Sequence, residues 1–175
     1  MLPQTIQTSR LKLRKPTLPD AKVLFDAYGQ DPDVSKYMVW RPLAEQSEAE
    51  GFIQQAVEDW DSQLRFAYVL EAGQVPLIGM LDARIEGHLL DVGYVLAQKY
   101  WGQGLMPEAL SALTAIALQQ EQCFRVQATC DVDNHPSMRT LEKCGFTNEG
   151  RLERYTMHPN ISDTPRPCFM FARCK

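Results

Sequence analysis

The chain has 175 residues, of which 45% are hydrophobic and 23% are charged, and these values are ordinary for one globular domain. A chain of this length buries roughly 70% of the surface that its unfolded form exposes, so it needs no disulfide or metal to hold a core. The net charge of -4 excludes an overall basic surface and argues against a nucleic-acid partner.

The five cysteines are odd in number, and no two of them have the short separation that zinc or redox pairs use. They predict reduced core thiols and no metal site. The N-terminal residues lack an apolar signal region, and no apolar run approaches the ~18 residues that a membrane span requires. The sequence therefore predicts a cytoplasmic protein with no membrane partner.

Apolar periodicity in the N-terminal part predicts one strand and two helices. The strand covers residues 10–14, where charged and apolar side chains alternate. A first helix is predicted from Thr17, as its cap, to a point near Gly29. A second helix is predicted behind a capping box formed by Ser47 and Glu50.

The remaining pattern predicts three strands, a helix, a strand, a helix and two further strands. Their ranges are residues 66–70, 77–85, 90–96, 106–117, 125–130, 136–143, 146–155 and 168–174. This order predicts an α+β (mixed α/β) fold, in which a mostly antiparallel twisted sheet of about 6–7 strands carries helices on both faces.

A glycine-containing segment follows the strand that ends near Leu96 and leads through Gly102 and Gly104 directly into a helix. Glycines let the backbone approach a ligand, and the N–H groups of a first helical turn favour an anion. The segment lacks the Gly-Lys-Ser/Thr of a P-loop and the third glycine of a dinucleotide site. By itself it is equally consistent with a phosphate site and with a tight structural turn.

A second segment, Asn134-x-x-Ser137-x-x-x-Leu141-Glu-Lys-x-Gly145-Phe146-x-x-Glu149-Gly150, begins about 30 residues downstream. Together with Gly102-x-Gly104, it resembles the two signature regions of the GNAT N-acetyltransferases. The likeness is closest to the Rim-type branch, which includes enzymes that acetylate ribosomal-protein N-termini. The opening Thr8-Ser-Arg-Leu-Lys-Leu-Arg14 and the closing aromatic strand extend the resemblance to one domain, residues 8–174, with the acyl-CoA N-acyltransferase fold.

The resemblance implies that acetyl-CoA is the donor and that it lies where two neighbouring strands splay apart. It implies that Asn134 holds the pantetheine amide. Lys99 departs from the glutamine or arginine that the family usually has three residues before the first glycine. The residues implied to bind the pantetheine arm through their backbone are Tyr94, Val95 and Leu96, and those implied to wrap the pyrophosphate are Gly102, Gln103, Gly104, Leu105 and Met106.

The implied chemistry is the attack of a neutral amine on a thioester, with an oxyanion held by a backbone N–H near Val95 or Leu96. Ser137 is the candidate that protonates the leaving thiolate, and Tyr94 or Tyr155 is the alternative. Ser137 and Asn134 also suit the start of a helix, where such residues serve as caps.

The resemblance does not supply a general base, because the position nineteen residues beyond Ser137, where some Rim-type enzymes have glutamate, holds Thr156. Asp91 is the first substitute and Glu153 the second, and a water relay is the alternative. His158 is expected to be an exposed loop histidine, with contact to the acceptor as its alternative role. Cys130 is expected to be a core thiol. Trp40 is expected to be a packing residue, with a wall of the acceptor site as its alternative role.

The sequence thus predicts an acetyl-CoA-dependent N-acetyltransferase that moves an acetyl group to a primary amine, either a protein N-terminus or a small-molecule amine, by direct attack. A non-catalytic acyl-CoA-binding sensor and a phosphate-binding enzyme of another fold are the alternatives. Residues 31–61 hold two bases against eight acids, and this acidic lobe predicts an amine-bearing acceptor. Dimers occur among similar proteins, so a homodimer is left open.

Overall fold

The computed structural model describes residues 2–175, in which eight strands form one sheet. The strands are β1 (Thr5–Gln7), β2 (Leu11–Arg14), β3 (Arg65–Ala72), β4 (Val75–Glu86), β5 (Leu89–Leu96), β6 (Arg125–Asp131), β7 (Thr147–Thr156) and β8 (Arg166–Cys174). The helices are α1 (Asp20–Leu24), which continues as a π-helical turn over Phe25–Gly29, then α2 (Pro32–Ser35), α3 (Gln46–Ser62), α4 (Leu105–Gln119) and α5 (His135–Lys143), with a 3-10 turn at Gln98–Tyr100.

The sheet has the strand order β1-β2-β3-β4-β5-β6-β8-β7. Every neighbouring pair is antiparallel except β5 and β6, which are parallel. The predicted fold class is confirmed, but the predicted count of 6–7 strands was too low. The extra strand is β1, which pairs Ile6 with Leu13 of β2 and is too short for its alternation to show in the sequence.

Helices cover both faces of the sheet, which is why the central strands are apolar on both sides. On β3, Phe66, Tyr68 and Leu70 pack into the core beneath α4 and α5, whereas Ala67 and Val69 pack beneath α1, α2 and α3. Within residues 2–175, no helix is both long enough and apolar enough to cross a lipid bilayer.

The first two helices begin differently from the prediction. Thr17 does not cap α1, because its backbone N–H and hydroxyl both donate to the buried carboxylate of Asp20, which Arg14 also holds through two hydrogen bonds of 2.7 Å. The predicted box of Ser47 and Glu50 at α3 was also wrong. There the carboxylate of Glu48 accepts the backbone N–H groups that precede the helix.

Two glycines allow a paired test of the packing around β5. A Cβ atom on Gly79 of β4 would overlap the carbonyl oxygen of Val95, whereas one on Gly51, in the middle of α3, would have nothing within 4 Å. We expect Gly79→Ala to lower the free energy of unfolding by about 1–3 kcal/mol. Gly51→Ala should raise it by about 0.5–1 kcal/mol. Urea unfolding measures both, and a Gly79→Ala protein as stable as the wild type would contradict the close β4–β5 approach.

Candidate active site

The parallel pair β5 and β6 separates along its length. Backbone pairing joins Leu89 to Arg125, Leu90 to Val126 and Asp91 to Gln127, and the register ends there. Both strands continue past that point, to Leu96 and Asp131, without pairing to each other in the described chain. A cleft of about 170 Å³ lies between the separated ends of the two strands. Its walls include Gly93, Tyr94, Ala128, Cys130, Asn134 and Ser137.

Backbone amides are available at the start of α4, beyond the open end of β5. Gly102 and Gly104 have φ values of +74° and +73°, in the left-handed region that favours glycine. Gly104 is the N-cap residue, and no side chain of residues 2–175 caps the helix. The N–H groups of Leu105 and Met106 are therefore open to a ligand, and this arrangement fits a phosphate.

Ser137 and Tyr94, which were alternatives in the sequence, form one pair in the cleft. The Tyr94 hydroxyl lies 2.8 Å from Ser137 Oγ and 3.3 Å from its carbonyl oxygen. Burial raises the pKa of Tyr94, although the hydrogen bond with Ser137 opposes the shift. Nearby, burial and the neighbouring Cys168 raise the pKa of Cys130 to about 12, so this thiol stays protonated at neutral pH.

Asn134 has the capping role that its position suggested. Its Oδ1 accepts the backbone N–H of Ser137 at 3.3 Å, and this bond begins α5. The same side chain lines the cleft. Its Nδ2 has no hydrogen-bond partner within residues 2–175, so one donor remains for a ligand while the oxygen holds the helix.

The two carboxylates proposed as the base lie in different surroundings. Asp91 lines the cleft at the last paired position of β5, and Arg84 Nη2 lies 3.2 Å from it. Burial raises the pKa of Asp91 despite the opposing charge of Arg84. Glu153 is exposed and paired with Arg151 at 2.8 Å. Neither Glu153 nor Tyr155 belongs to the cleft wall in the part of the chain that the structure describes.

His158 is buried, so the expectation of an exposed loop histidine was wrong. Its exposed fraction is 5%, and it lines the cleft. Its Nε2 lies 3.8 Å from Cys168 Sγ and 3.9 Å from Asp131 Oδ2, whereas Nδ1 has no hydrogen-bond partner among the described residues. Arg166 holds the buried Asp131 at 2.6 and 3.0 Å. The folding of the β7–β8 loop over the cleft left no local signal in the sequence.

Residues 10–147 match the family described as the acetyltransferase (GNAT) domain. The chain belongs to this family. The N-acetyltransferase p20 of Bacillus licheniformis is 32% identical in an alignment of 158 residues that covers 87% of this chain and 87% of that one. The [ribosomal protein uS5]-alanine N-acetyltransferase of Escherichia coli is 26% identical over 162 residues, which cover 87% of this chain and 82% of that one.

The same fold occurs in the crystal structure of the microcin C7 self-immunity acetyltransferase in complex with acetyl-CoA and AMP. The two structures have a TM-score of 0.90 at 22% identity, with coverage of 99% of this chain and 98% of the other. This GNAT protein is an acetyl-CoA-dependent N-acetyltransferase. Its similarity to ribosomal-protein acetyltransferases is consistent with the Rim-type branch. The findings do not support a non-catalytic sensor.

The acidic lobe contributes to the acetyltransferase cleft through an uncharged loop. Tyr37, Met38 and Val39 line the cleft, whereas no carboxylate of residues 31–61 does so in the described chain. The acids of α3 have other partners: Glu48 holds the start of the helix, and Asp59 pairs with a neighbouring arginine at 3.2 Å. Trp40 packs against the core beneath α1, α2 and α3, as expected of a packing residue, and it is not among the described residues of the cleft wall.

A clamp that the sequence analysis missed joins the N-terminal segment to the glycine loop. The Glu108 carboxylate, in the first turn of α4, accepts hydrogen bonds from the hydroxyls of Thr8 (2.6 Å) and Ser9 (2.9 Å). It also accepts the backbone N–H of Arg10 at 2.9 Å and its Nε at 2.7 Å. Arg10 Nη1 in turn donates to the carbonyl oxygen of Gln103 at 2.9 Å. The clamp therefore fixes the loop between the two glycines.

The electrostatics of the clamp favour an ionised Glu108. Burial opposes ionisation, but the hydrogen bonds from Thr8, Arg10 and Ser9 outweigh it and lower the pKa of Glu108 to about 2. The only signal in the sequence was the polar Thr8-Ser-Arg10 run before β2, together with an acid in the first turn of α4.

We expect Glu108→Gln to raise the KM for acetyl-CoA about tenfold with little change in kcat, because a charge-assisted network that orders the loop is weakened. Steady-state kinetics with saturating acceptor measure both parameters. Glu121→Gln, which removes an exposed acid just beyond α4, is the matched control and should match the wild type. An unchanged KM in Glu108→Gln would show that the clamp does not order the loop.

Proposed function

We propose that this N-acetyltransferase acetylates the α-amine of a protein N-terminus. The observation that carries the proposal is that both carboxylates of the cleft wall are already engaged, Asp91 by Arg84 and Asp131 by Arg166. A cleft without a free carboxylate favours an amine that is easily neutralised. An α-amine loses its proton near pH ~8, whereas a lysine side chain does so near ~10.4.

The outer wall of the cleft supports an acceptor that enters as an extended chain. The Tyr37–Val39 loop is tied in place by Asn160, whose Nδ2 donates to the carbonyl oxygens of Ser35 (2.7 Å) and Trp40 (2.8 Å). Val39 has an exposed fraction of 69%, so the mouth of the cleft is apolar and accessible. The Escherichia coli relative, whose name gives an alanine of ribosomal protein uS5 as acceptor, supports the same class.

The donor fits the opposite side of the cleft. Backbone groups of Tyr94, Val95 and Leu96 that no longer face β6 would pair with the pantetheine arm, and Asn134 Nδ2 would donate to one of its amide oxygens. The left-handed turn before α4 would hold the pyrophosphate against the first-turn N–H groups. The residues assigned to that turn are Gly102, Gln103, Gly104, Leu105 and Met106.

The reaction then needs three groups around the thioester. The neutral amine attacks the thioester carbon, and a backbone N–H near Val95 or Leu96 stabilises the oxyanion. As the carbon–sulfur bond breaks, the Ser137 hydroxyl donates its proton to the thiolate, and Tyr94, 2.8 Å away, holds that hydroxyl in place and resupplies the proton. Asp91 remains the carboxylate candidate for removing the proton of the incoming ammonium group.

Three further features of the protein belong to the same proposal. The acetyltransferase domain comprises residues 8–174. The protein works in the cytoplasm, because its proposed acceptors are products of ribosomes and its donor is acetyl-CoA. The homodimer stays a prediction that sedimentation velocity would test.

An acceptor panel tests the proposal. Peptides with a free N-terminus should be acetylated more than tenfold faster, in kcat/KM at pH 7.5, than the same peptides with a blocked N-terminus and one internal lysine, because more of the α-amine is neutral. Release of CoA thiol measures the rate. Faster transfer to lysine, polyamines or aminoglycosides would contradict the acceptor class. Tight binding of acetyl-CoA without thiol release from any amine would instead contradict turnover.

The Ser137–Tyr94 pair generates a second expectation. Ser137→Ala should lower kcat about 10²-fold while the KM for acetyl-CoA changes little, because the proton donor acts only when the thiolate leaves. Tyr94→Phe should have a smaller effect, since Ser137 keeps its own proton. Ser62→Ala, at the exposed end of α3, is the control. If Ser137→Ala kept the wild-type kcat, the serine would serve only the start of α5.

A further inference from the structure

Among the described residues of the cleft wall, His158 is the buried side chain whose nitrogen has no hydrogen-bond partner. Buried polar atoms in folded proteins nearly always have a hydrogen-bond partner, and each exception calls for an explanation. His158 Nδ1 has no partner within residues 2–175, although the side chain is 5% exposed and lines the cleft. Nδ1 is therefore available to a ligand or a water molecule in the cleft.

The surroundings of the other nitrogen indicate which state the ring adopts. Nε2 lies 3.9 Å from Asp131 Oδ2 and 3.8 Å from Cys168 Sγ. Asp131 is ionised, because hydrogen bonds from Arg166 outweigh burial and lower its pKa. Burial raises the pKa of Cys168, so that thiol is neutral. A carboxylate on this side favours a proton on Nε2 and leaves the lone pair of Nδ1 free.

The charged neighbour of His158 is Asp131, which belongs to an ion-pair network with Arg166 and Asp133. Asp131 ends β6, Arg166 begins β8, and Asp133, in the loop after β6, holds Arg166 Nη2 at 2.6 Å. The ring itself lies beside Asp131 and the neutral Cys168.

We propose that His158 is the general base that accepts the proton of the acceptor ammonium group at Nδ1, directly or through one water. The inference rests on the proposed function and deepens it. The ammonium nitrogen loses one proton to Nδ1, its lone pair forms the bond to the thioester carbon, and the carbon–sulfur bond breaks. The nitrogen loses its second proton as the amide forms, and this proton replaces the one that Ser137 gives to the thiolate. The imidazolium then releases its proton to solvent.

The geometry favours His158 over Asp91 for this step. Asp91 lies at the closed end of the cleft, where β5 and β6 are still paired, and Arg84 holds its charge. His158 lies beside Asp131, at the end of β6 where the two strands have separated. A base there faces the same opening as Tyr94 and Ser137.

Two substitutions separate the nitrogens of the ring. The longer amide of His158→Gln can still reach the partners of Nε2 but places no acceptor at Nδ1. His158→Asn puts an amide near Nδ1 that forms hydrogen bonds but does not titrate. We expect both to lower kcat/KM for a peptide α-amine about 10²-fold and to alter its pH profile, because the variants lack a base at this position. His88→Gln, an exposed histidine in the β4–β5 turn, is the control.

Folding and donor binding are checked in the same variants. The melting temperature should match that of the wild type, and the Kd for acetyl-CoA should stay within about twofold of the wild-type value. A further readout uses a peptide that ends in a hydrazide group. The terminal nitrogen of a hydrazide is neutral at pH 7, so no base is needed to remove a proton before it attacks. With this acceptor the variants should regain most of the wild-type rate.

The proposal is overturned if either variant keeps the wild-type rate and pH profile, or if the hydrazide peptide suffers the same loss as the α-amine peptide. The second result would show that His158 only shapes the cleft. If the wild type itself transfers no acetyl group to any peptide N-terminus, the proposed function fails rather than the assignment of His158.

Discussion

Backbone amide and carbonyl groups need hydrogen-bond partners, and the separation of β5 from β6 leaves several of them without one inside the sheet. Pairing stops at Asp91 and Gln127, although both strands continue. The sheet is held on either side of this opening by long antiparallel pairs, β4 with β5 and β6 with β8. The gap is therefore a stable feature of the fold, and in the proposed complex the pantetheine arm of acetyl-CoA, which has its own amide groups, would complete the interrupted pairing.

The proposed anion site depends on local geometry and not on net charge. The chain carries -4 overall, but the start of α4 offers backbone N–H groups that no side chain caps in the described residues. Arg10 reaches the same loop, where Glu108 orients it and the carbonyl oxygen of Gln103 accepts one of its N–H groups. The proposed phosphate site would thus join a helix dipole to a clamp from the distant N-terminal segment.

Much of the fold and part of the site followed from the sequence because their signals are local. Alternating apolar residues predicted β2, and apolar β-favouring stretches predicted β3 to β5. The helical stripe predicted α4, and the two glycines predicted the turn before it. Ser137 and Asn134 were found because their motif is contiguous. The partner of Ser137 was not, because Tyr94 lies 43 residues earlier and the two hydroxyls meet only when α5 packs beside the end of β5.

The sequence by itself determined the order of elements, the anion-binding turn and the family, because each depends on residues close together along the chain. Only the tertiary structure decided the environment of the titratable groups. It buried His158 beside Asp131, engaged Asp91 with Arg84 and turned the acids of α3 away from the cleft. The physical reason is that burial, ion pairing and an unsatisfied nitrogen depend on distances between segments far apart in the chain, and periodicity carries no information about those distances.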